Sequence, residues 1–332
     1  MNGFTTPART RQSGIRCLVT LRPFRRSDAA SLPALYRAAA MELGAQNYDA
    51  RQCVAWANAA PSSDQYIRRA EGSHDVWIAE AEGHPVAYAD LEPDGHLDHL
   101  YCAPKFAGRG VGAALVLTLE AVARSRGLPQ LHVEASEAAR PVFSRLGWTC
   151  GYQRDLTVAG VAIHNYRMTR TVLPAVCHAS PTPATTAFFD VFRNSTGVAG
   201  GHQVVAFGDT PTMMDELVKL ALEGTKRATA GLLRDFAGGE PMPFVGGHVV
   251  LVDGRGAPCA VWRTGEVRIG PLVDVDEAFA WDEGEGERTR DDWLAMHRRY
   301  FSRVAARDGF DMHDHIPTVF ERFEIVWPGS GG

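Results

Sequence analysis

Three glycines alternate over five positions in Gly108-Arg109-Gly110-Val111-Gly112, between two runs of different character. Before them, Leu97-Asp98-His99-Leu100-Tyr101-Cys102-Ala103-Pro104 is short and largely apolar, and its proline ends it. After them, Ala113-Ala114-Leu115 opens a segment in which Leu115, Leu119, Val122 and Ala123 recur at helical spacing. The order is strand, glycine loop, helix. Glycine takes positive φ without steric cost and lets a ligand approach the backbone closely. The loop N–H groups and those of the helix's first turn, which have no partner within their own helix, point to one place. The helix dipole favours an anion there.

The spacing separates the candidate anions. A dinucleotide fingerprint needs G-x-G-x-x-G, and here the third glycine follows the second by two positions. A phosphate-binding P-loop needs Lys-Ser/Thr after its last glycine, where this chain has Ala113-Ala114. What remains is G-x-G-x-G/A opening a helix after a proline-terminated strand. This resembles the acetyl-coenzyme A loop of the GNAT acetyltransferases, with Ala107 standing where that family usually begins its loop with Gln or Arg. A tight turn without a ligand is the structural alternative, but three glycines at a helix start cost stability that a plain turn need not spend.

The surrounding order agrees with that resemblance. Leu18–Pro23 is a short strand candidate, and three helices follow it, around Leu32–Ala39, after Asp49 and after Ser63-Asp64. A meander of strands, Val76–Ala79 and Pro85–Leu91, turns at Glu82-Gly83 and Pro93-Asp94-Gly95 into the glycine-loop strand. Beyond the long helix come a strand at Leu131–Ala135, a helix Glu137–Leu146 capped by Ser136, and a hairpin of Thr149–Val158 with Val161–Met168. Ala138-Ala139-Arg140-Pro141, Phe143, Arg145-Leu146-Gly147-Trp148 and Asn165-Tyr166-Arg167-Met168 are similar to a bacterial GNAT branch. The resemblance spans residues 16–170 and implies an α/β (α+β) fold with a mixed, mostly antiparallel sheet. Residues 1–15 read as a loose N-terminus without a secretory signal. Residues 171–184, rich in Pro, Ala and Thr, read as a linker, and 329–332 as a tail.

At 332 residues the chain is long for one core. The second half has its own wording: an apolar helix candidate around Phe188, Phe189 and Phe192, another after Asp209-Thr210-Pro211, then Gly224-Thr225-Lys226-Arg227-Ala228-Thr229. Strands at His248–Val252 and Ala260–Arg268 follow, then Glu283-Gly284-Glu285-Gly286, a helix bearing Trp293 and His297, and a last strand at Phe320–Val326. Gly224-x-Lys226-x-x-Thr229 with the Glu-Gly-Glu-Gly run resembles the ASCH family, a PUA-like β-barrel, over residues 185–328.

The GNAT resemblance implies acetyl-CoA as co-substrate, held by Leu100, Tyr101, Cys102, Ala107, Gly108, Arg109, Gly110, Val111, Gly112, Ala113 and Phe143. Transfer to an amine needs a base for the amine, a donor for the thioester oxygen and a proton for the departing thiolate. The strand N–H of Leu100 or Tyr101 matches the family's oxygen donor. Glu92, Asp98, His99 and Glu134 are candidate bases, with Asp98 preferred; ordinary structural bonding accounts equally for such strand carboxylates. Phe143 stands where the family usually has a tyrosine to protonate the thiolate, so Ser136 or a water would substitute, or transfer is slow. The ASCH resemblance implies Lys226, Thr229 and Glu285 as a pocket that recognises a nucleoside or RNA element, or hydrolyses an N-acylated nucleoside such as N4-acetylcytidine. Spacing alone puts Lys226 and Thr229 on one face of a helical turn, and a plain ion pair of Lys226 with Glu283 or Glu285 remains open. The competing class is an acetyl-CoA-binding, catalytically weak sensor with an RNA-binding ASCH domain.

Charge and cysteine usage bound the partners. Residues 1–184 carry 19 basic and 16 acidic residues, net +3; residues 185–332 carry 15 and 23, net −8, which disfavours wrapping long nucleic acid. No apolar stretch reaches 18 residues, so no membrane partner is expected. Cys17, Cys53, Cys102, Cys150, Cys177 and Cys259 are scattered without a C-x-x-C pair, as for thiols in a reducing cytoplasm. His313-Asp314-His315 offers too few ligands for a metal, and none is expected.

Overall fold

The computed structural model describes residues 18–172 and 180–328. The expected N-terminus 1–15, residues 173–179 of the 171–184 linker, the 329–332 tail, Cys17 and Cys177 lie outside the described residues, and the last two linker residues, Pro183 and Ala184, instead open a helix capped by Thr182. Cys53, Cys102, Cys150 and Cys259 are free thiols. Among the described residues no helix is long and apolar enough to cross a membrane.

The first half runs β1 (Val19–Pro23), α1 (Leu32–Ala38), α2 (Ala50–Asn58), α3 (Ser63–Glu71), β2 (Asp75–Ala81), β3 (His84–Leu91), β4 (His96–Leu97), β5 (Leu100–Cys102), α4 (Val111–Ser125), β6 (Gln130–Ala135), α5 (Arg140–Arg145), β7 (Thr149–Val158) and β8 (Val161–Thr171). Local capping explains several starts. Asp49 and Ser62 accept from the third helical N–H of α2 and α3, and Gln52 and Gln65 reach back to close capping boxes. The glycine-loop strand is not one strand. Its His96–Leu97 part pairs parallel with β6, and its Leu100–Cys102 part pairs antiparallel with β3. The break at Asp98-His99 falls where the chain passes from one sheet to the other. The helix expected over Glu137–Leu146 begins later, at Arg140, because Ser136 caps a preceding turn through the Ala139 N–H at 3.2 Å.

The second half runs α6 (Pro183–Thr196), β9 (Gln203–Val205), α7 (Pro211–Leu222), β10 (Ala228–Leu232), α8 (Leu233–Ala237), β11 (His248–Val252), β12 (Pro258–Pro271), α9 (Glu277–Glu283), α10 (Arg290–Asp308) and β13 (Pro317–Trp327). Its strands lie in the order β10-β13-β12-β11-β9. Strand β12 is long and irregular between Thr264 and Glu266. Its first half pairs with β11 and its second half with β1 of the other domain, through Val19↔Ile269, Thr20↔Arg268 and Leu21↔Val267. One sheet therefore continues from β10 through β13, β12, β1, β2 and β3 to β5, while β4-β6-β8-β7 forms a second.

The core is shared as well. Leu233, Met242, Val267, Ile269 and Val319 of the second domain belong to the same buried cluster as Leu115, Leu119, Trp77 and Phe143 of the first. Helix α4 is buried on every side from Ala114 to Ala123, Thr118 and Glu120 included. Glu120 answers its burial by accepting from Trp148 Nε1 at 2.7 Å. A helix without a solvated face must have its outer side covered. Here the cover is the second domain, down to the C-terminal end, where the Gly201 N–H donates to the Ser125 carbonyl at 2.9 Å.

Candidate functional site

Two places in the fold bring reactive groups together. The first lies at the N-terminus of α4. Pro104–Phe106 makes a single tight turn after β5, then Gly108 and Gly110 take φ of +74° and +85°, and Gly110 caps the helix from the left-handed region. A side chain added at Gly108 or Gly112 would meet nothing within 4 Å. Both therefore border open space at the point where the first-turn N–H groups of α4 have no helical acceptor. Gly110 differs: a Cβ there would fall 2.8 Å from Leu233 Cδ2.

The two sheets part beside this loop. His96 and Leu97 still pair with His132 and Val133, but among the described residues Leu100, Tyr101 and Cys102 pair only on the β3 side, with Ala89, Tyr88 and Ala87. Strands β5 and β6 are thus not joined by ladder hydrogen bonds, and the glycine loop follows β5. Cys102 and Leu100 pack against the main core, and burial pushes the Cys102 thiol up to about 12 against the opposing pull of Arg109.

The candidate bases have distinct surroundings. Asp98 is ion-paired with Arg69 of α3, whose Nε also bonds Asp90 Oδ2 at 2.9 Å. Burial works against the Asp90 charge, yet His74, His99 and Arg69 together hold its carboxyl down to about 2. His99 is buried among Tyr36, Tyr66, Tyr88 and Tyr101, and desolvation lowers its pKa, so it is neutral at pH 7. Glu134 bonds His96 Nε2 at 2.6 Å and pairs with Arg167 and with Arg154 at 3.2 Å. Although burial opposes it, Arg167 and His96 bring its pKa below the usual carboxylate value. Glu92 stands 3.5 Å from His96 Nδ1. Ligand atoms of Glu92, His96 and Asp98 lie within 4.8 Å of one another and could hold a cation, though His96 and Asp98 already have protein partners. Phe143 is fully buried, edge-on to Trp148 at 4.9 Å between centroids, and brings no hydroxyl. Ser136 Oγ is engaged by the Ala139 N–H. Asp314 of the His-Asp-His run is bound by Arg298 at 2.8 and 2.9 Å.

The second place is in the other half. Lys226 follows α7 in a turn fixed by its own N–H to the Leu220 carbonyl at 3.0 Å. It is 1% exposed. Its Nζ lies 2.5 Å from Glu285 Oε1, 3.6 Å from Glu283 Oε1 and 5.0 Å above the Phe207 ring. Gly284 lets Glu283 and Glu285 wrap the ammonium: it takes φ +74°, and a Cβ there would run into the Thr225 carbonyl oxygen at 2.4 Å. Glu283 accepts from Trp293 Nε1. Burial drives its pKa well above the ordinary glutamate value, opposed mainly by Lys226. His297 stacks on Trp293 at 3.7 Å and is desolvated to a pKa of about 4, so its ring is neutral.

Lys226 and Thr229 do not share a helical turn. Residues 228–232 are a strand, held by pairing with β13, and the sheet overrides the local spacing. Thr229 stands directly opposite Glu321, so the two side chains share a face of the ladder. Glu321 was not visible as a site residue in the sequence. It accepts from Thr264 Oγ1 at 2.6 Å and Trp262 Nε1 at 3.2 Å, and burial pushes it to about 7. A charged residue on the inward face of the alternating strand Val319, Glu321, Phe323 was the one available signal.

Comparison with known proteins follows the same division. Residues 45–170 match the acetyltransferase (GNAT) domain family, and residues 203–327 match the ASCH domain family. The chain is 27% identical over 150 residues to the uncharacterized N-acetyltransferase YafP of Escherichia coli (strain K12), across 45% of this chain and 94% of that protein. The crystal structure of the GCN5-related N-acetyltransferase (aminotransferase, class-II) from Rhodopseudomonas palustris is 32% identical, covering 48% of this chain and 99% of that one, with a TM-score of 0.44. An ASCH domain from Lactobacillus crispatus is 25% identical, covering 46% of this chain and 99% of that one, with a TM-score of 0.41.

Proposed function

The chain joins a GNAT acetyltransferase domain to an ASCH domain, and from that premise we propose that the first binds acetyl-CoA and acetylates an amine while the second takes a nucleoside or RNA element, hydrolysing an N-acetylated nucleoside such as N4-acetylcytidine. One observation carries the coenzyme reading: Gly108 and Gly112 border open space at the N-terminus of α4, where unpaired amides and the helix dipole suit a pyrophosphate. The pantetheine arm then lies between β5 and β6. The amine nitrogen attacks the thioester carbonyl, the N–H of Leu100 or Tyr101 holds the oxyanion, and the C–S bond breaks. The amine loses its proton toward Asp98, the candidate base with the most exposed carboxyl, and the thiolate takes one from Ser136 or a water.

In the ASCH pocket, Lys226 and Glu285 form an ion pair at 2.5 Å. Such a pair can activate a water or the Thr229 hydroxyl toward an acetyl carbonyl. Hydrolysis adds water across the amide: acetate leaves with the oxygen, and the cytosine N4 takes the proton.

Isothermal titration of the full chain with CoA tests the first domain. Gly112→Val is expected to fold as the parent does and bind at least about tenfold more weakly, since its side chain occupies the approach to the amides. Equal affinity would remove the loop as the site. Mass spectrometry of N4-acetylcytidine incubated with the full chain tests the second. Release of cytidine that disappears in Lys226→Ala supports hydrolysis; neither binding nor release ends that version. Phe143, buried and without a hydroxyl, favours a second reading, a coenzyme sensor of low turnover. Binding of acetyl-CoA without transfer to any of a panel of amines would select it.

A further inference from the structure

The ASCH domain is built along the whole of helix α4. At the C-terminal end Gly201 bonds the Ser125 carbonyl. At the N-terminal end Leu233 occupies the space beside Gly110 that a Cβ would fill, with Pro317 Cβ 4.0 Å from the same point. Leu233 is 7% exposed and is part of the core cluster that contains Val111 and Ala114. The turn that presents the loop amides is thus walled on one side by the other domain.

The segment that delivers Leu233 has little slack. Lys226 is its first residue, tied by its backbone to Leu220 and by its ammonium to Glu285 and Glu283. The Arg227 N–H donates to the Asp282 carbonyl at 2.7 Å. Ala228 to Leu232 are in register with Arg322 to Thr318, with Thr229 among them. Leu233 follows at once as the first residue of α8. Eight consecutive residues therefore connect the ASCH pocket to the glycine loop, held at both ends and paired in between.

We propose that Leu233 is a positioning residue of the coenzyme site, and that the segment Lys226–Leu233 couples occupancy of that site to the ASCH pocket. This rests on the reading of the glycine loop as the acetyl-CoA site. A ligand that fixes Gly110 fixes the surface on which Leu233 packs, and the paired strand carries that constraint to Thr229 and Lys226. By linkage, whatever holds the ASCH pocket in the same arrangement tightens coenzyme binding by the same factor.

Hydrogen exchange of the full chain, with and without CoA, tests this. In the parent, CoA is expected to slow exchange at residues 107–114 and also at 228–233. Leu233→Ala is expected to weaken CoA binding about fivefold or more. At saturating CoA it should retain protection of the loop while losing the response at 228–233. Leu233→Met, which refills the contact, should restore both. Protection of 107–114 in the parent with no response at 228–233 overturns the coupling. Unchanged CoA affinity in a folded Leu233→Ala overturns the positioning role. Absence of protection at 107–114 in the parent fails the coenzyme reading itself, and the proposal with it.

Discussion

Leu21 of β1 pairs with Val267 of β12, and both side chains are completely buried. This ladder, 246 positions apart in sequence, makes the two domains one sheet. Cutting between them would expose a strand edge and the outer face of α4 together. Thermal unfolding of the full chain is accordingly expected to be a single cooperative transition, the same by far-ultraviolet circular dichroism and by tryptophan fluorescence. Two resolved transitions would refute the shared core.

The loop glycines should differ in cost. Gly108→Ala meets open space and bears only the left-handed backbone, about 1 kcal/mol. Gly110→Ala bears the same backbone cost and also collides with Leu233, bringing the total to roughly 2–4 kcal/mol. Urea denaturation at one pH measures both, and equal losses would disprove the Leu233 contact.

Glu321 gives stability a specific pH dependence. Its carboxyl is raised from 4.5 to about 7 in the fold by burial. Between those values the folded chain keeps a proton that the unfolded chain has lost, so this group makes stability fall as pH rises through that window and has no further effect above it. The integrated effect is roughly 3 kcal/mol. Glu321→Gln keeps an acceptor for Thr264 and Trp262 but removes the titration. Relative to the parent, the variant should gain stability from pH 5 to pH 8 in denaturant melts. A parent-to-variant difference that is flat with pH would disprove this.

Lys226 is the cation that offsets the buried Glu283. Lys226→Met leaves that carboxyl without it and should cost about 3–5 kcal/mol at pH 8. Adding Glu283→Gln to Lys226→Met should recover part of the loss at pH 8. A double-mutant cycle with no coupling between the two would show that the pair does not act as a unit.

Much of the glycine-loop geometry was legible because it is local. The strand end, the alternating glycines and the helix are contiguous, and their conformations follow from proline, missing Cβ atoms and helical spacing within some twenty residues. Helix α4 also carried an unread signal. Val111-Gly112-Ala113-Ala114-Leu115-Val116-Leu117 is apolar on all sides rather than on one stripe, the pattern of a helix covered twice. In the second half, Lys226 and the Glu-Gly-Glu-Gly run were visible as residue types. The spacing of Lys226 and Thr229 fits a helical turn, but Thr229 lies on a strand, which only the pairing with β13 reveals.

By itself, then, the amino-acid sequence determined a glycine turn at a helix N-terminus and a lysine in reach of acidic residues. Only the tertiary structure decided that the glycine-loop strand divides between two sheets, that Thr229 faces Glu321, and that Leu233 closes on Gly110. Turns and caps are set by short-range sterics and hydrogen bonds that a few neighbouring residues carry. Sheet register and domain contact arise from burial summed across distant segments, which no local stretch encodes.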